Sequence, residues 1–175
     1  DQIQRIVSAV ASAVDVPISI KTRTGLTLQD QAGTAAAVAA QNAGARLVVM
    51  HGRSRACRFK GSALPARLQE VTKQLSVPLL VNGDIVDAAT ARQALSASGA
   101  QGVMIGRAAM GQPWLFAELL GRPLPDFDQR LDVIYKHLQM MHTFYGSESG
   151  ARIARKHMKA YLQRWGANQL TEEFM

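Results

Sequence analysis

Lys21, His51, the Asn82-Gly-Asp84 turn and the Gly106-Arg107 pair are the residues whose types and spacing could do chemistry together. Each follows a short apolar run: ISI before Lys21, LVVM before His51, LLV before Asn82 and VMI before Gly106. A lysine at a strand end can donate to an electron-rich ring or an oxyanion, and a histidine there can donate a hydrogen bond or shuttle a proton. Gly83 and Gly106 would let backbone N–H groups approach an anion, and Arg107 would add a forked, charge-assisted donor. Two such turns after consecutive strands read as a phosphate cradle. Either one alone would read as a tight βα turn, with Asp84 capping the next helix. Cys57, the only cysteine, sits among arginines in HGRSRACRF, where it looks like a nucleophile.

These residues need elements to bring them together, and the hydrophobic pattern supplies them. Ile3, Ile6, Val7, Val10 and Val14 recur at helical spacing, and Pro17 separates that helix from ISI. An Ala-rich helix from about Ala32 to Asn42 stops at Gly44 and leads to LVVM. Leu68, Val71 and Leu75 mark a helix before Pro78 and LLV; Asp87 then caps a helix running through Ala91 and Leu95 to Gly99, which delivers VMI. Strand–helix alternation of this kind predicts a parallel α/β structure, because parallel neighbours need a crossover helix. Doubly wound sheets and barrels both satisfy it. The polar clusters at every strand's C-terminal end favour the barrel.

A (β/α)₈ barrel needs eight strands and four are offered, so residues 1–120 are expected to form the C-terminal half of a TIM barrel, its first half lying upstream. A start inside a helix, without Met, agrees with a fragment. Residues 121–128 read as a proline-containing linker, and 129–175 as a small all-helical domain, incomplete at its C-terminus. In that domain Leu131, Ile134, Tyr135, Leu138, Met141 and Tyr145 form an apolar stripe ending at Gly146. A second helix is expected from near Gly150, with Ala154, Met158, Tyr161, Leu162 and Trp165 on one face and Arg152, Arg155, Lys156 and Lys159 on another.

Charge points to a polyanion. Lys and Arg number 20 against 13 acids, a formal +7, and no acid occurs from Gln31 to Gln69 or from Ala151 to Thr171. Two separate basic segments suit a nucleic acid, though solvated faces would look the same. A lone cysteine excludes an internal disulfide, no apolar run reaches the roughly 18 residues of a membrane span, and the four histidines have no metal-ligand spacing. No metal, no membrane and a reducing cytoplasmic setting are the expectations.

Taken in order and spacing, five motifs resemble the bacterial tRNA-dihydrouridine synthases: Lys21-Thr-Arg-Thr-Gly25; His51-Gly-Arg-Ser-Arg-Ala-Cys-Arg-Phe-Lys-Gly61; Val81-Asn-Gly-Asp-Ile85; Ile105-Gly-Arg-Ala108 with Gly111-Gln-Pro-Trp114; and the basic RIARKHMKAYL, Arg152 to Leu162. The resemblance implies a TIM barrel bearing FMN, followed by a helical tRNA-binding domain, in an enzyme that reduces uridine to 5,6-dihydrouridine in tRNA at the expense of NADPH. It implies that Lys21 and His51 approach the flavin or the substrate base, and that Asn82, Gly83, Asp84, Gly106 and Arg107 hold the cofactor's phosphate. It implies that Arg53, Arg55, Arg58 and Lys60, with Arg155, Lys156 and Lys159, meet the tRNA backbone. The family's proton-donating cysteine lies upstream of the lysine-bearing strand, so no catalytic residue is expected within this chain, and the chain alone is expected to be inactive. Cys57 matches no catalytic position and is expected to pack beneath its loop. A monomer is expected for the full-length protein. Two other readings stay open: an FMN-dependent dehydrogenase of a small metabolite, and a non-catalytic RNA-binding module.

Overall fold

The computed structural model of the chain describes residues 2–58 and 60–171; the last residues of the expected helical domain, 172–175, lie outside them. The chain divides into two compact units, Asp1–Gly106 and Arg107–Met175.

In the first unit, α1 (Gln2–Ala13), β1 (Ser19–Arg23), α2 (Ala32–Asn42), β2 (Leu47–His51), α3 (Gln69–Gln74), β3 (Leu79–Asn82), α4 (Ala88–Ser98) and β4 (Gly102–Met104) follow one another as the hydrophobic pattern predicts. The strands are all parallel, in the order β1-β2-β3-β4. This order decides between the two topologies left open by the sequence. A doubly wound sheet reverses direction at a switch point and carries helices on both faces, whereas an unreversed order is half of a TIM barrel.

Helices cover one face of the sheet. Ile18 and Ile20 pack against a core of Val7, Ala40 and Ala45, so that side of β1 faces α1 and α2. In-register pairing then puts Val48, Met50, Leu79 and Val81 on the same side. Val48, Leu79 and Val81, with Leu68 and Val71 beneath them, are fully buried. Alternation along each strand sends Lys21, Arg23, Val49, His51, Leu80, Asn82 and Met104 to the other face. That inner face is where a closed barrel would gather its functional groups.

Local signals fix the ends of α4. Asp87 accepts from Thr90 N and Thr90 Oγ1 accepts from the Asp87 amide, a full capping box, and Gly99 terminates the helix at φ 70°. The apolar stripe of α1 is only partly used: Val7 is buried, while Ile6, Val10 and Val14 are exposed.

The second unit contains a short α5 (Leu115–Leu119) and an antiparallel pair, α6 (Phe127–Tyr145) and α7 (Ser147–Arg164). The sequence placed the start of α7 near Gly150, but the helix begins at Ser147, and Gly150 serves instead as the point of closest approach to α6. A Cβ there would lie 2.9 Å from His142 Cα and from the Met141 carbonyl oxygen. Ile134 and Met141 of the predicted stripe are buried between the helices, whereas Leu131, Tyr135 and Tyr145 are exposed. The unit boundary also differs from the expected linker at 121–128. Residues 107–120 belong with the helical pair, because Gly111 (φ 75°) rests its backbone against Ala160 of α7, Leu115 is fully buried and the Trp114 ring lies 6.4 Å from that of Tyr161. No helix among the described residues is long and apolar enough to cross a membrane.

Candidate functional site

Strand register builds the site in layers. Arg23, His51, Asn82 and Met104 are in-register neighbours at the C-terminal strand ends, and one step further in lies the row Lys21, Val49, Leu80 and Gly102. The structure thus brings Lys21, His51 and Asn82 onto one face, with Lys21, expected at the strand's end, two residues inside it. Asn82 also ties two strands together, donating from Nδ2 to the Met104 carbonyl at 2.8 Å. Lys21 is exposed, yet partial burial and the neighbouring Arg23 guanidinium hold its ammonium below its ordinary pKa.

Around His51 the arrangement departs from expectation. The sequence placed Arg53 among the RNA-facing cations, but its side chain is only 4% exposed. Arg53 Nη2 donates to Asp84 Oδ2 at 2.7 Å and to the Gly61 carbonyl at 2.6 Å, while Nη1 lies 3.3 Å from His51 Nε2. From its place two residues past β2, the long arginine side chain reaches inward and its forked guanidinium spans all three groups. Asp84 was expected to help hold a phosphate, a task its negative charge opposes. It takes the Arg53 charge instead, accepts from Ala63 N at 2.8 Å, and adopts φ 53°, which Asp tolerates better than most residues.

Gly83 (φ 125°) is needed for packing as well as for its turn. A Cβ there would lie 2.6 Å from Ala63 Cβ and 2.8 Å from His51 Cδ2. The space beside Gly83 is therefore filled by protein. Gly106 differs, since a Cβ at that position would meet nothing within 4 Å. Arg107, the expected partner of Gly106, is exposed and opens the second unit in a three-residue 3₁₀ turn, Arg107–Ala109.

His51 is 6% exposed, and burial, followed by the charges of Arg23, Lys21 and Arg53, lowers its pKa to about 4 against an ordinary 6.5; Asp84 opposes this. The imidazole is neutral at pH 7. In the unfolded chain His51 takes up a proton near pH 6.5, whereas in the folded chain it does so only near 4. Stability is therefore full above about pH 6.5 and is lost as pH falls from 6.5 toward 4, by at most about 1.4 kcal/mol per unit. Urea unfolding between pH 7 and 5 should show this decline. His51→Gln should remove part of it and leave the share from His157, whose pKa burial and His137 also lower.

Sequence reasoning assigned no separate role to Arg23, though it lies two residues after Lys21 on the same face. Arg23 Nη1 donates to the carbonyls of Ser54, at 2.8 Å, and Arg58, at 3.0 Å. Arg55 N and Ala56 N bond the carbonyls of Gly25 and Leu26, so the loops after β1 and β2 are joined. Within this braced loop Cys57 is half-buried and its sulfur accepts from Ser54 Oγ at 3.1 Å, consistent with a packing role. Arg55, Arg58 and Lys60 are exposed, as a polyanion-facing edge requires. In the second unit Arg152, Arg155 and Lys156 are exposed on α7 and Lys159 is half-buried, while Ala154, Tyr161 and Leu162 of the same helix are buried. Helix α7 can therefore pack and still present cations. Among the described residues no three His, Cys, Asp or Glu side chains gather as a metal site.

Comparison with known proteins gives the chain's relatives. The family model described as dihydrouridine synthase (Dus) matches residues 1–175. A protein named tRNA-dihydrouridine synthase B from Proteus vulgaris is 40% identical over 171 residues, covering 93% of this chain and 53% of its own. Its namesakes from Yersinia pestis and Escherichia coli K12 are 40% and 39% identical, each covering 96% of this chain and 54% of their own. The chain thus spans about half the length of the curated relatives it matches. A solved structure of YagE, a prophage protein of the dihydrodipicolinic acid synthase family from E. coli K12, superposes with a TM-score of 0.48 at 14% identity, over 98% of this chain and 61% of that one. With the family model matched from the first residue to the last and relatives at this identity, the chain belongs to the dihydrouridine synthase family.

Proposed function

We propose that the chain is the flavin- and tRNA-binding part of an enzyme that reduces uridine to 5,6-dihydrouridine in tRNA, with FMN as its cofactor and NADPH as its reductant. The observation that carries this reading is the inner-face cluster of Lys21, Arg23, His51 and Asn82 in a chain matched by the family along its whole length. The residues suit an anionic, ring-bearing cofactor. Lys21 and Arg23 supply positive charge, Asn82 keeps an amide oxygen as acceptor, and the open space at Gly106 admits a ligand against the backbone. Gly83 offers no such space and supports His51 instead. Bound there, reduced FMN would supply a hydride to the uracil ring.

The chain's own groups would do the rest. Lys21 donates to an electron-rich ring atom, its lowered pKa reflecting a desolvated amine. His51, neutral at pH 7, donates a hydrogen bond and is not a proton shuttle in that range. Cys57 is not assigned a catalytic role. Removing a uridine from its stack costs a few kcal/mol, which phosphate contacts from Arg55, Arg58, Lys60, Arg155, Lys156 and Lys159 would help offset.

Two measurements test this. Purified protein should quench added FMN fluorescence in a saturable way, and Lys21→Met should weaken that binding; absence of FMN binding would overturn the cofactor reading. In tRNA binding, Arg155→Ala with Lys156→Ala should lower the slope of log affinity against log salt by about 2, close to one per lost phosphate contact. An unchanged slope would remove α7 from the RNA interface.

A further inference from the structure

Among the described residues of the first unit, Arg53 is the one charged side chain that is buried and has no part in the function above. It reaches His51, Asp84 and Gly61 from a single guanidinium, and its Nε has no hydrogen-bond partner among the described residues. Its placement is therefore set by its two terminal nitrogens, one aimed at the imidazole and the other clamped from two sides.

A guanidinium has donors only. Whatever hydrogen bond Nη1 makes with His51 Nε2 must have the imidazole nitrogen as acceptor, and in a neutral ring that leaves the proton on Nδ1. The edge of the ring carrying Nε2 and Cδ2 is enclosed by Arg53 and by the turn at Gly83, where a Cβ would lie 2.8 Å from Cδ2 and 3.1 Å from Nε2. Nδ1 has no partner among the described residues. We propose that Arg53, anchored by Asp84 and the Gly61 carbonyl, is a positioning residue that holds His51 in the Nδ1–H tautomer and so gives the site a hydrogen-bond donor of fixed direction.

Asp84 is the far end of this device. It keeps Nη2 in place, and the ion pair leaves Nη1 free for the ring. The requirement for Gly83 follows too, because a side chain there would push the imidazole off Nη1. The functional meaning of the tautomer rests on the reading of His51 as a cofactor- or base-facing residue. The tautomer itself does not.

The test is nuclear magnetic resonance of protein labelled with ¹⁵N-histidine, with the His51 signals assigned by their loss in His51→Gln. In the unaltered protein at pH 7 the spectrum should show a protonated Nδ1 and an unprotonated Nε2; an Nε2–H tautomer would overturn the proposal without any further variant. The double variant Arg53→Met with Asp84→Asn removes both charges, so no buried ion is stranded, and Asn tolerates the positive φ at position 84. In it the ratio of Nδ1–H to Nε2–H should fall by roughly tenfold or more, the scale set by one charge-assisted hydrogen bond. An unchanged ratio would show that the ring is held by packing alone. Neither spectrum needs cofactor or RNA, so FMN titration of the same samples separates failure of this proposal from failure of the functional reading.

Discussion

Asp84→Ala should destabilise the first unit by about 3–5 kcal/mol, and Arg53→Met by less, about 2 kcal/mol. The difference comes from which charge is stranded. Removing Asp84 leaves the Arg53 guanidinium, 4% exposed, without its counter-ion in a poorly hydrated site. Removing Arg53 leaves a carboxylate whose side chain is 38% exposed and which water can still reach. Alanine at position 84 must also adopt φ 53°, which adds strain in the same direction. Arg53→Met loses the bond to Gly61 but keeps much of the apolar stem that fills the space. Combining Arg53→Met with Asp84→Asn should cost less than the sum of the separate changes, since the two side chains form one unit. Urea unfolding of the unaltered protein, of Asp84→Ala, Asp84→Asn and Arg53→Met, and of the double variant measures all of this. Equal losses for Asp84→Ala and Arg53→Met would mean that the pair does not act as a buried arginine held by a wetter carboxylate.

Gly33→Ala should be of similar severity, about 3 kcal/mol or more, through steric conflict with backbone. Gly33 lies in the first turn of α2 and bonds the Thr24 carbonyl through its own N–H. A Cβ at position 33 would contact the Arg23 carbonyl oxygen and come within 2.6 Å of the Thr24 carbonyl carbon. Neither atom is the end of a flexible side chain, so either α2 must lift or β1 must shift. Because Lys21 and Arg23 stand on that strand, the change should weaken FMN binding together with stability. A Gly33→Ala protein with unaltered unfolding free energy and unaltered FMN affinity would show that the β1–α2 approach is looser than the structure has it.

How legible the molecule was depends on the kind of information each feature needs. Strand and helix order could be read because Pro17, Gly44, Pro78 and Gly99 punctuate apolar runs with turn chemistry that is local. The shared face of Lys21, His51 and Asn82 could be read because each lies at the C-terminal end of a strand or two residues inside it, and parallel register aligns those positions. Arg53 could not. In the sequence it is one of several arginines in a basic loop, and only the fold shows that it turns inward to Asp84, 31 positions away. Arg23 was hidden for the same reason, its partners being carbonyls of Ser54 and Arg58 that carry no side-chain signature. The two Gly-containing turns look alike as text but differ in space, Gly83 packed against His51 and Gly106 open. The unit boundary differs from the expected linker because the prolines near 123 and 125 are visible in sequence, whereas the close packing of Gly111 on Ala160 is not.

The proposed role of this protein is the reduction of uridine in tRNA. Its most direct test is mass spectrometry of nucleosides from individual tRNAs, purified from cells in which the gene is inactivated and from the same cells with it restored. Dihydrouridine should be lost from defined tRNA positions, replaced there by uridine, and regained on restoration with the unaltered gene but not with Lys21→Met. Unchanged dihydrouridine at every position, in cells with no second gene of the family, would contradict the account.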